Sequence, residues 1–262
     1  MIYCECYSKL GVTIYSMHTN NILDFERPMH RMGSVAFIAG LAIAVVSTFV
    51  FHPTSENLMD NPVVFALYAE DELWIASHIG QFAGILLIFA GGFVALHRLL
   101  ARSESDIASA LSWLGLVTAI IAASIFTILQ AVDGIALKIA VNTWYAIPAT
   151  DSEEKAIAFQ VAQGLRWTEW GVQAYYRMLQ GAVALIFGVA IAKSALLSRW
   201  IGAVGIAAGV VTIAAGVVVA YVGFSSVRDP VTDLSTFTLY PWIVILGIFM
   251  WRKTGVKKMV TR

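Results

Sequence analysis

Six long apolar runs limit how this chain can fold more than any other feature of its sequence. A helix needs about 20 residues to cross the hydrocarbon core of a bilayer, and only helices and closed barrels satisfy their backbone hydrogen bonds there. Of the 262 residues, 13% are charged, against roughly 25% in soluble domains. We therefore expect an all-α polytopic membrane bundle with six transmembrane helices at about 33–52, 73–96, 107–132, 169–192, 200–222 and 237–251.

The segments outside these runs are polar or basic. We expect an N-terminal cytoplasmic tail over 1–32, one membrane bundle over 33–252 and a basic cytoplasmic tail over 253–262. Cys4 and Cys6 are the only cysteines. Two thiols make no closed metal site, so we interpret this pair as part of a plain tail, with metal binding or acylation as the alternatives.

Charged residues are distributed unevenly between the two sides of the predicted bundle. The segments 1–32, 98–107, 193–199 and 252–262 hold 12 of the 17 Lys and Arg residues but 5 of the 17 Asp and Glu residues. An excess of Lys and Arg in short flanking segments marks the cytoplasmic side. We expect a multi-pass protein of the cell membrane with both termini cytoplasmic, which agrees with an even number of spans.

Polar side chains follow one face of the helix that leads into the fourth span. They are spaced 3, 4, 4 and 3 residues apart, a spacing that aligns them on a helix: Arg166, Glu169, Gln173, Arg177 and Gln180. The following stretch, 181–192, is purely apolar. Because polar groups in a membrane helix normally face protein or a water-filled cavity, the stripe predicts the wall of a pocket in the outer half of the bundle, or a set of structural groups that satisfy one another.

The third and fourth spans are extended by further helical sequence. Helical character continues from the third span to about residue 145 and resumes at 152, before the fourth span. We expect a protruding extracytoplasmic helical hairpin with its tip at 146–151. At 1.5 Å per residue its first arm would reach about 18 Å beyond the span.

Residues on three spans lie at the height of the polar stripe. His78 and Gln81 are one helical turn apart on the second span, and Asp133 ends the third. The predicted ligand-binding residues are His78, Gln81, Asp133, Glu169, Gln173 and Arg177.

Arg177 is expected to point inward and pair with a carboxylate such as Asp133, Glu169 or Glu72; the alternative is that it reaches toward the interface. Arg166 is the expected partner of Asp133. An inward arginine beside glutamine and tyrosine side chains suits an anionic headgroup, a carboxylate or a phosphate, but a buried structural ion pair uses the same residue types.

Histidine and carboxylate side chains on four spans also suggest a metal site. Imidazole and carboxylate together suit zinc, iron, manganese or copper, and the candidate ligands are His52, His78, Asp133 and Glu169. No two of them form a local pair, so the site depends on their meeting in the fold. A bis-imidazole haem requires His52 and His78 on facing helices, and the alternative for His78 is a structural role.

The motifs HIGQFAGILL, QAVDGIALK, RWTEWG and YYRMLQG lie within residues 74–224. This part of the chain resembles uncharacterised bacterial multi-span membrane proteins, and the resemblance implies a membrane bundle without a known activity. The chain has no Walker A, His-Glu-x-x-His or nucleotide glycine motif, and no basic surface segment typical of nucleic-acid binding.

Three functions remain open at the level of sequence. The first is binding or moving a small polar or amphiphilic ligand, including a lipid. The second is a membrane-embedded enzyme or redox subunit that uses the His and carboxylate cluster with a transition metal or haem. The third is a structural or assembly subunit, with a homo-oligomer or a membrane-complex partner; in each case the lipid bilayer is a partner.

Overall fold

The protein is built from helices only, over the part of the chain that the structure describes. A computed structural model describes the backbone of residues 3–52 and 61–255 and the side chains of residues 27–52 and 61–252. Within these ranges there are seven helices and no strand. Six of the helices are long and apolar enough to cross a membrane, which confirms the predicted all-α six-span class. The side chains of Cys4, Cys6 and the tail at 253–262 lie outside the described ranges.

We number the helices α1 to α7 in chain order. They cover Tyr3–Val50 (α1), Asn61–Glu70 (α2), Trp74–Leu100 (α3), Asp106–Ala146 (α4), Ser152–Lys193 (α5), Arg199–Val222 (α6) and Arg228–Gly255 (α7). α2 is too short to span. α3 and α4 each contain a π-helical segment, Leu87–Phe93 and Ala131–Leu137. Such segments often occur at functional sites.

The six long helices form a closed ring in chain order. Each packs against the next one, and α7 returns to α1. His52 after α1, Trp74 at the start of α3 and Arg228 at the start of α7 line one cavity and so lie at the same end of the bundle. We call this the polar end. Large apolar side chains such as Ile79 and Ile120 are exposed on the outside of the ring, where lipid surrounds a membrane protein.

Glycine residues bring two pairs of helices into backbone contact. A Cβ atom added at Gly209 of α6 would lie 2.5 Å from the backbone nitrogen of Leu185 in α5. Gly84 of α3 is equally close to Gly40 of α1, with 2.5 Å to its carbonyl oxygen. Small residues are the usual means by which membrane helices approach closely, since lipid gives no hydrophobic drive for their association. These contacts fix the walls of the polar interior.

α2 is held against the extended part of α4 by a buried lysine. Lys138 donates hydrogen bonds to the carbonyl oxygens of Tyr68, Ala69 and Asp71, at 3.0 Å for Ala69 and 2.8 Å for Asp71. The last carbonyls of a helix lack intrahelical partners, and a cation is favourable beside them. Lys138 therefore anchors α2, and with it Tyr68, at the polar end.

The observed helices differ from the predicted boundaries at two places. α1 begins at Tyr3, so the predicted tail over 1–32 is continuous with the first span. α7 begins at Arg228 and contains Pro241, whereas the predicted sixth span begins at 237. Polar residues in the first turns of α7 lower its local hydropathy, which explains the short prediction.

The extended helices on either side of residues 146–151 agree with the predicted bounds. α4 ends at Ala146 and α5 begins at Ser152, and the two pack against each other. Ser105 caps α4, because its hydroxyl oxygen accepts a hydrogen bond from the backbone nitrogen of Ala108 at 3.3 Å. That the tip of this pair projects from the membrane stays a prediction.

Candidate functional site

Two adjoining cavities occupy the interior of the ring toward its polar end. The central cavity has a volume of about 160 Å³ and is lined by α1, α3, α4, α5 and α7. The terminal cavity has a volume of about 220 Å³ and lies closer to the ends of the helices. The residues that line both are Thr48, Gln81, Asp133 and Gln173. The two cavities are therefore parts of one polar space.

The residues predicted to bind a ligand all line this space. His78 and Glu169 line the terminal cavity, and Arg177 lines the central one. Gln81, Asp133 and Gln173 line both. The remaining members of the α5 stripe, Arg166 and Gln180, line the terminal and central cavities respectively. The stripe thus runs along the full polar space, while the binding roles of its members stay predictions.

His78, which is buried, and Asp133, which is partly buried, form a pair across α3 and α4. The Nδ1 atom of His78 lies 2.7 Å from the carbonyl oxygen of Trp74, and its Nε2 atom lies 3.0 Å from Oδ2 of Asp133. A carbonyl oxygen only accepts, so Nδ1 carries a proton, and one further proton is shared between Nε2 and the carboxylate. The pair is therefore either imidazolium with carboxylate or two neutral groups, and its net charge is zero in both cases.

Gly134 makes this pairing possible. A Cβ atom at position 134 would lie 2.6 Å from the Cβ atom of His78, so a larger residue there would separate α3 from α4. Asp133 and Gly134 both lie in the π-helical segment of α4. Trp74 also donates from Nε1 to the carbonyl oxygen of Asp133 at 3.2 Å. These contacts fix the Asp133 side chain at the junction of the two cavities.

The four candidate metal ligands, His52, His78, Asp133 and Glu169, all line the terminal cavity, and metal binding there stays a prediction. Among the described residues, no group of three or more His, Cys, Asp and Glu side chains is placed to hold a metal ion. The rings of His52 and His78 lie 5.5 Å apart, but both nitrogens of His78 are already engaged. The Trp74 ring also lies 4.6 Å from His78 and 4.7 Å from His52. The geometry therefore gives no support to a metal centre or to a bis-imidazole haem.

Arg166 pairs differently from the prediction. It does not pair with Asp133; its Nη1 atom lies 3.4 Å from Oε2 of Glu169, one turn along α5, and donates a hydrogen bond to the hydroxyl of Tyr68. Both charged residues are buried. Its guanidinium also lies 4.5 Å from the ring centre of Phe224. Glu169 is thus committed to Arg166, and the Arg166–Glu169 pair forms one wall of the terminal cavity.

Arg177 faces the central cavity, and the predicted pairing with a carboxylate is wrong. Asp133 is bound to His78 and Glu169 to Arg166. Among the described side chains, Arg177 forms no ion pair, and its buried Nε atom has no hydrogen-bond acceptor. The buried oxygen atoms that also lack a partner at this cavity belong to Gln130, Asp133, Gln173 and Tyr176.

Hydrogen bonds across three helices hold the glutamines of the central cavity. Gln130 of α4 donates from Nε2 to Oε1 of Gln81 in α3 at 3.5 Å. Gln81 donates in turn to the hydroxyl of Ser77 at 3.4 Å, and Ser77 donates to the carbonyl oxygen of Ser47 in α1 at 2.8 Å. This chain leaves Oε1 of Gln130 unpaired at the cavity wall.

Packed aromatic rings fill the bundle on the side of the central cavity that faces away from the polar end. Phe93, in the π-helical segment of α3, stacks on Phe187 with 5.1 Å between ring centres and contacts Phe37 edge-on at 5.1 Å. Trp242 lies 6.3 Å from the same ring. These four side chains are buried. The polar space therefore ends on a packed apolar floor and does not continue as a polar path through the bundle.

Several lining residues were not among the predicted ligand-binding residues. Tyr176 is one of them, although it lies three residues from Gln173 and four from Gln180 and so shares their face. Thr236 and Tyr240 are likewise four residues apart on α7. Helical spacing could have found these three residues. The contribution of Thr48 depends on how α1 is rotated in the ring, which its sequence does not show.

A family model described as "Domain of unknown function (DUF4386)" matches residues 32–253. The match covers α1 from residue 32 onward, the four long helices that follow, nearly all of α7 and every residue that lines the two cavities. No curated protein and no solved structure shows significant similarity to the chain.

Proposed function

Because the chain belongs to the DUF4386 family, whose function is unknown, we propose a function from the cavities alone: the protein binds or moves a small polar or amphiphilic ligand. The observation that carries this proposal is the set of unpartnered buried polar atoms around the central cavity. A buried polar atom without a partner costs roughly 1–3 kcal/mol. Five such atoms on one cavity wall favour a site whose partners arrive with water or a ligand.

The state of Arg177 favours ligand binding over a purely structural role. A structural arginine would be sealed against a carboxylate, whereas this side chain faces a cavity. A catalytic role for His78 has less support, because both of its ring nitrogens are engaged. The apolar floor around Phe93 favours access from the polar end, which the charge distribution predicts to face outward.

A bulky residue at the junction of the cavities tests the proposal. Thr48 lines both cavities and is itself exposed, so Thr48→Trp narrows the space between them. Thr168→Trp is the matched control: Thr168 is exposed on α5, and both hydroxyls donate to the carbonyl four residues back at 2.9 Å. The purified proteins are screened by thermal unfolding against a panel of polar metabolites and single-chain and double-chain lipids.

We expect at least one compound to raise the unfolding midpoint of the parent and of Thr168→Trp but not of Thr48→Trp. A compound present at 100 times its Kd stabilises by about 2.7 kcal/mol, which is well above the resolution of the assay. A shift that persists in Thr48→Trp, or a panel without any shift, contradicts the proposal.

A further inference from the structure

The central cavity contains one cation that the described residues do not neutralise. The other buried or partly buried cations of the polar end have partners: Arg166 has Glu169, Arg228 has Asp229 at 3.1 Å, and Lys138 has backbone carbonyls. Arg177 has none of these within the described ranges. Within those ranges Arg177 therefore lacks the kind of partner that Arg166, Arg228 and Lys138 each have.

The negative charge of Asp133, the carboxylate that lines the central cavity, is already neutralised by His78. Asp133 shares a proton with His78, and that pair has no net charge. Asp233 of α7 attracts Arg177 and Arg228 repels it, both through longer-range Coulomb interactions and without contact. Counted over the described residues, the charge of the central cavity is therefore close to that of one guanidinium. An unpaired cation away from bulk water is unfavourable, so an anion that enters would relieve this cost.

The groups around Arg177 provide hydrogen bonds for such an anion. Tyr176 is buried beside it, and its hydroxyl has no partner. Tyr240, Gln173 and Gln180 line the same wall. A tyrosine hydroxyl donates readily, and a glutamine amide donates when its nitrogen faces the cavity, since oxygen and nitrogen exchange places by a flip. The guanidinium fork matches a carboxylate or a phosphate with two parallel hydrogen bonds.

The size of the cavity fits a small group. Its volume of about 160 Å³ is close to that of an engineered cavity of ~150 Å³ that binds benzene. A carboxylate or phosphate with a few attached atoms fills that space. A longer chain attached to it would extend into the terminal cavity, through the junction at Thr48.

We propose that the central cavity binds an anionic group, a carboxylate or a phosphate, through the guanidinium of Arg177 with the hydroxyls of Tyr176 and Tyr240. This inference rests on the proposed function and specifies its ligand. The anion belongs either to a soluble metabolite or to a lipid headgroup, and the recognition chemistry is the same for both.

Matched probes that differ in charge test the inference. The full chain in neutral detergent is titrated with linear carboxylates of two to eight carbons, the corresponding amides and the corresponding phosphate monoesters and alcohols. A second arm reconstitutes it in discs of phosphatidylcholine with and without phosphatidylglycerol or phosphatidic acid, and native mass spectrometry records the retained lipid. The variants are Arg177→Gln, Arg177→Lys, Tyr240→Phe and Thr48→Trp, with Thr168→Trp as the control.

We expect at least one anion to bind while its neutral counterpart does not. Arg177→Gln should raise the Kd for that anion at least tenfold, Arg177→Lys should raise it less, and Thr168→Trp should leave it unchanged. If Arg177→Gln does not fold, Arg177→Lys and Tyr240→Phe provide the test. Each should bind the anion with a higher Kd, while its unfolding midpoint without ligand stays equal to that of the parent. Binding confined to the disc arm assigns the anion to a lipid headgroup, and binding in detergent assigns it to a soluble molecule.

Two results separate the possible failures. If neutral probes bind as well as anions, and Thr48→Trp removes that binding, the inference on charge is wrong while the proposed function stands. If no probe binds in either arm, both are wrong. Anion binding that survives Arg177→Gln also overturns the role of Arg177.

Discussion

Replacing Arg177 by methionine should stabilise the ligand-free protein, whereas the same replacement at Arg166 should destabilise it. Both arginines belong to the polar stripe of α5. Arg166 has a buried carboxylate partner and Arg177 has none among the described residues. The sign of the change therefore distinguishes a ligand site from a structural ion pair.

The magnitudes follow from these partners. Replacing a buried ion pair by apolar residues of similar volume is often neutral or stabilises a protein by about 1–4 kcal/mol, and an arginine without a partner has no ion-pair attraction to lose. Because the central cavity is polar, we expect the lower end for Arg177→Met, about 1–2 kcal/mol. Arg166→Met leaves Glu169 buried without its arginine, and breaking one side of such a pair costs about 3–5 kcal/mol. At roughly 2–4 °C per kcal/mol, the unfolding midpoint rises by roughly 2–8 °C for Arg177→Met and falls by at least 6 °C for Arg166→Met.

The assay is thermal unfolding followed by tryptophan fluorescence, after extensive exchange into neutral detergent and a buffer with few small anions. That exchange matters because a bound anion stabilises the parent and hides the effect. Adding back an anion that binds should raise the parent midpoint and leave Arg177→Met unchanged. If Arg177→Met lowers the midpoint as much as Arg166→Met does, Arg177 is a structural group and the reasoning on its charge is refuted.

Two further substitutions test the framework of the site. Gly134→Ala places a Cβ atom against His78 and should destabilise the protein by about 1–3 kcal/mol through overpacking. Gly164→Ala is the control: nothing lies within 4 Å of its added Cβ atom, so it should be neutral or stabilise by up to about 1 kcal/mol. Equal unfolding midpoints for the two variants would contradict the close approach of α3 and α4. Lys138→Met removes the hydrogen bonds to the end of α2 and should cost about 1–3 kcal/mol, with faster hydrogen exchange in Asn61–Glu70; unchanged exchange there would show that α2 is held by other contacts.

The sequence predicts the fold class and one wall of the site because both depend on periodicity within single helices. Long apolar runs determine the six spans, and the spacing from Arg166 to Gln180 places the polar stripe on one face of α5. The same rule would have added Tyr176, which lies on that face between Gln173 and Gln180.

Pairings between helices are not predictable in this way. His78 reaches Asp133 because Gly134 and the π-helical segment bring α3 and α4 together, and neither the segment nor the rotation of the helices is visible in the residue pattern. For that reason the expected partners of Asp133 and Arg177 were wrong. Arg177 has no described partner because Asp133 is bound to His78 and Glu169 to Arg166, while Asp233 acts on it only at longer range; these pairings depend on the whole ring.

The most direct test of the central claim is native mass spectrometry of the protein taken from its own membranes. We predict that the parent and Thr168→Trp retain the same small molecule, that this molecule carries a carboxylate or a phosphate, and that Thr48→Trp does not retain it. A parent protein that carries no bound molecule and binds none of the matched probes, or a Thr48→Trp variant that retains the molecule, would contradict this prediction.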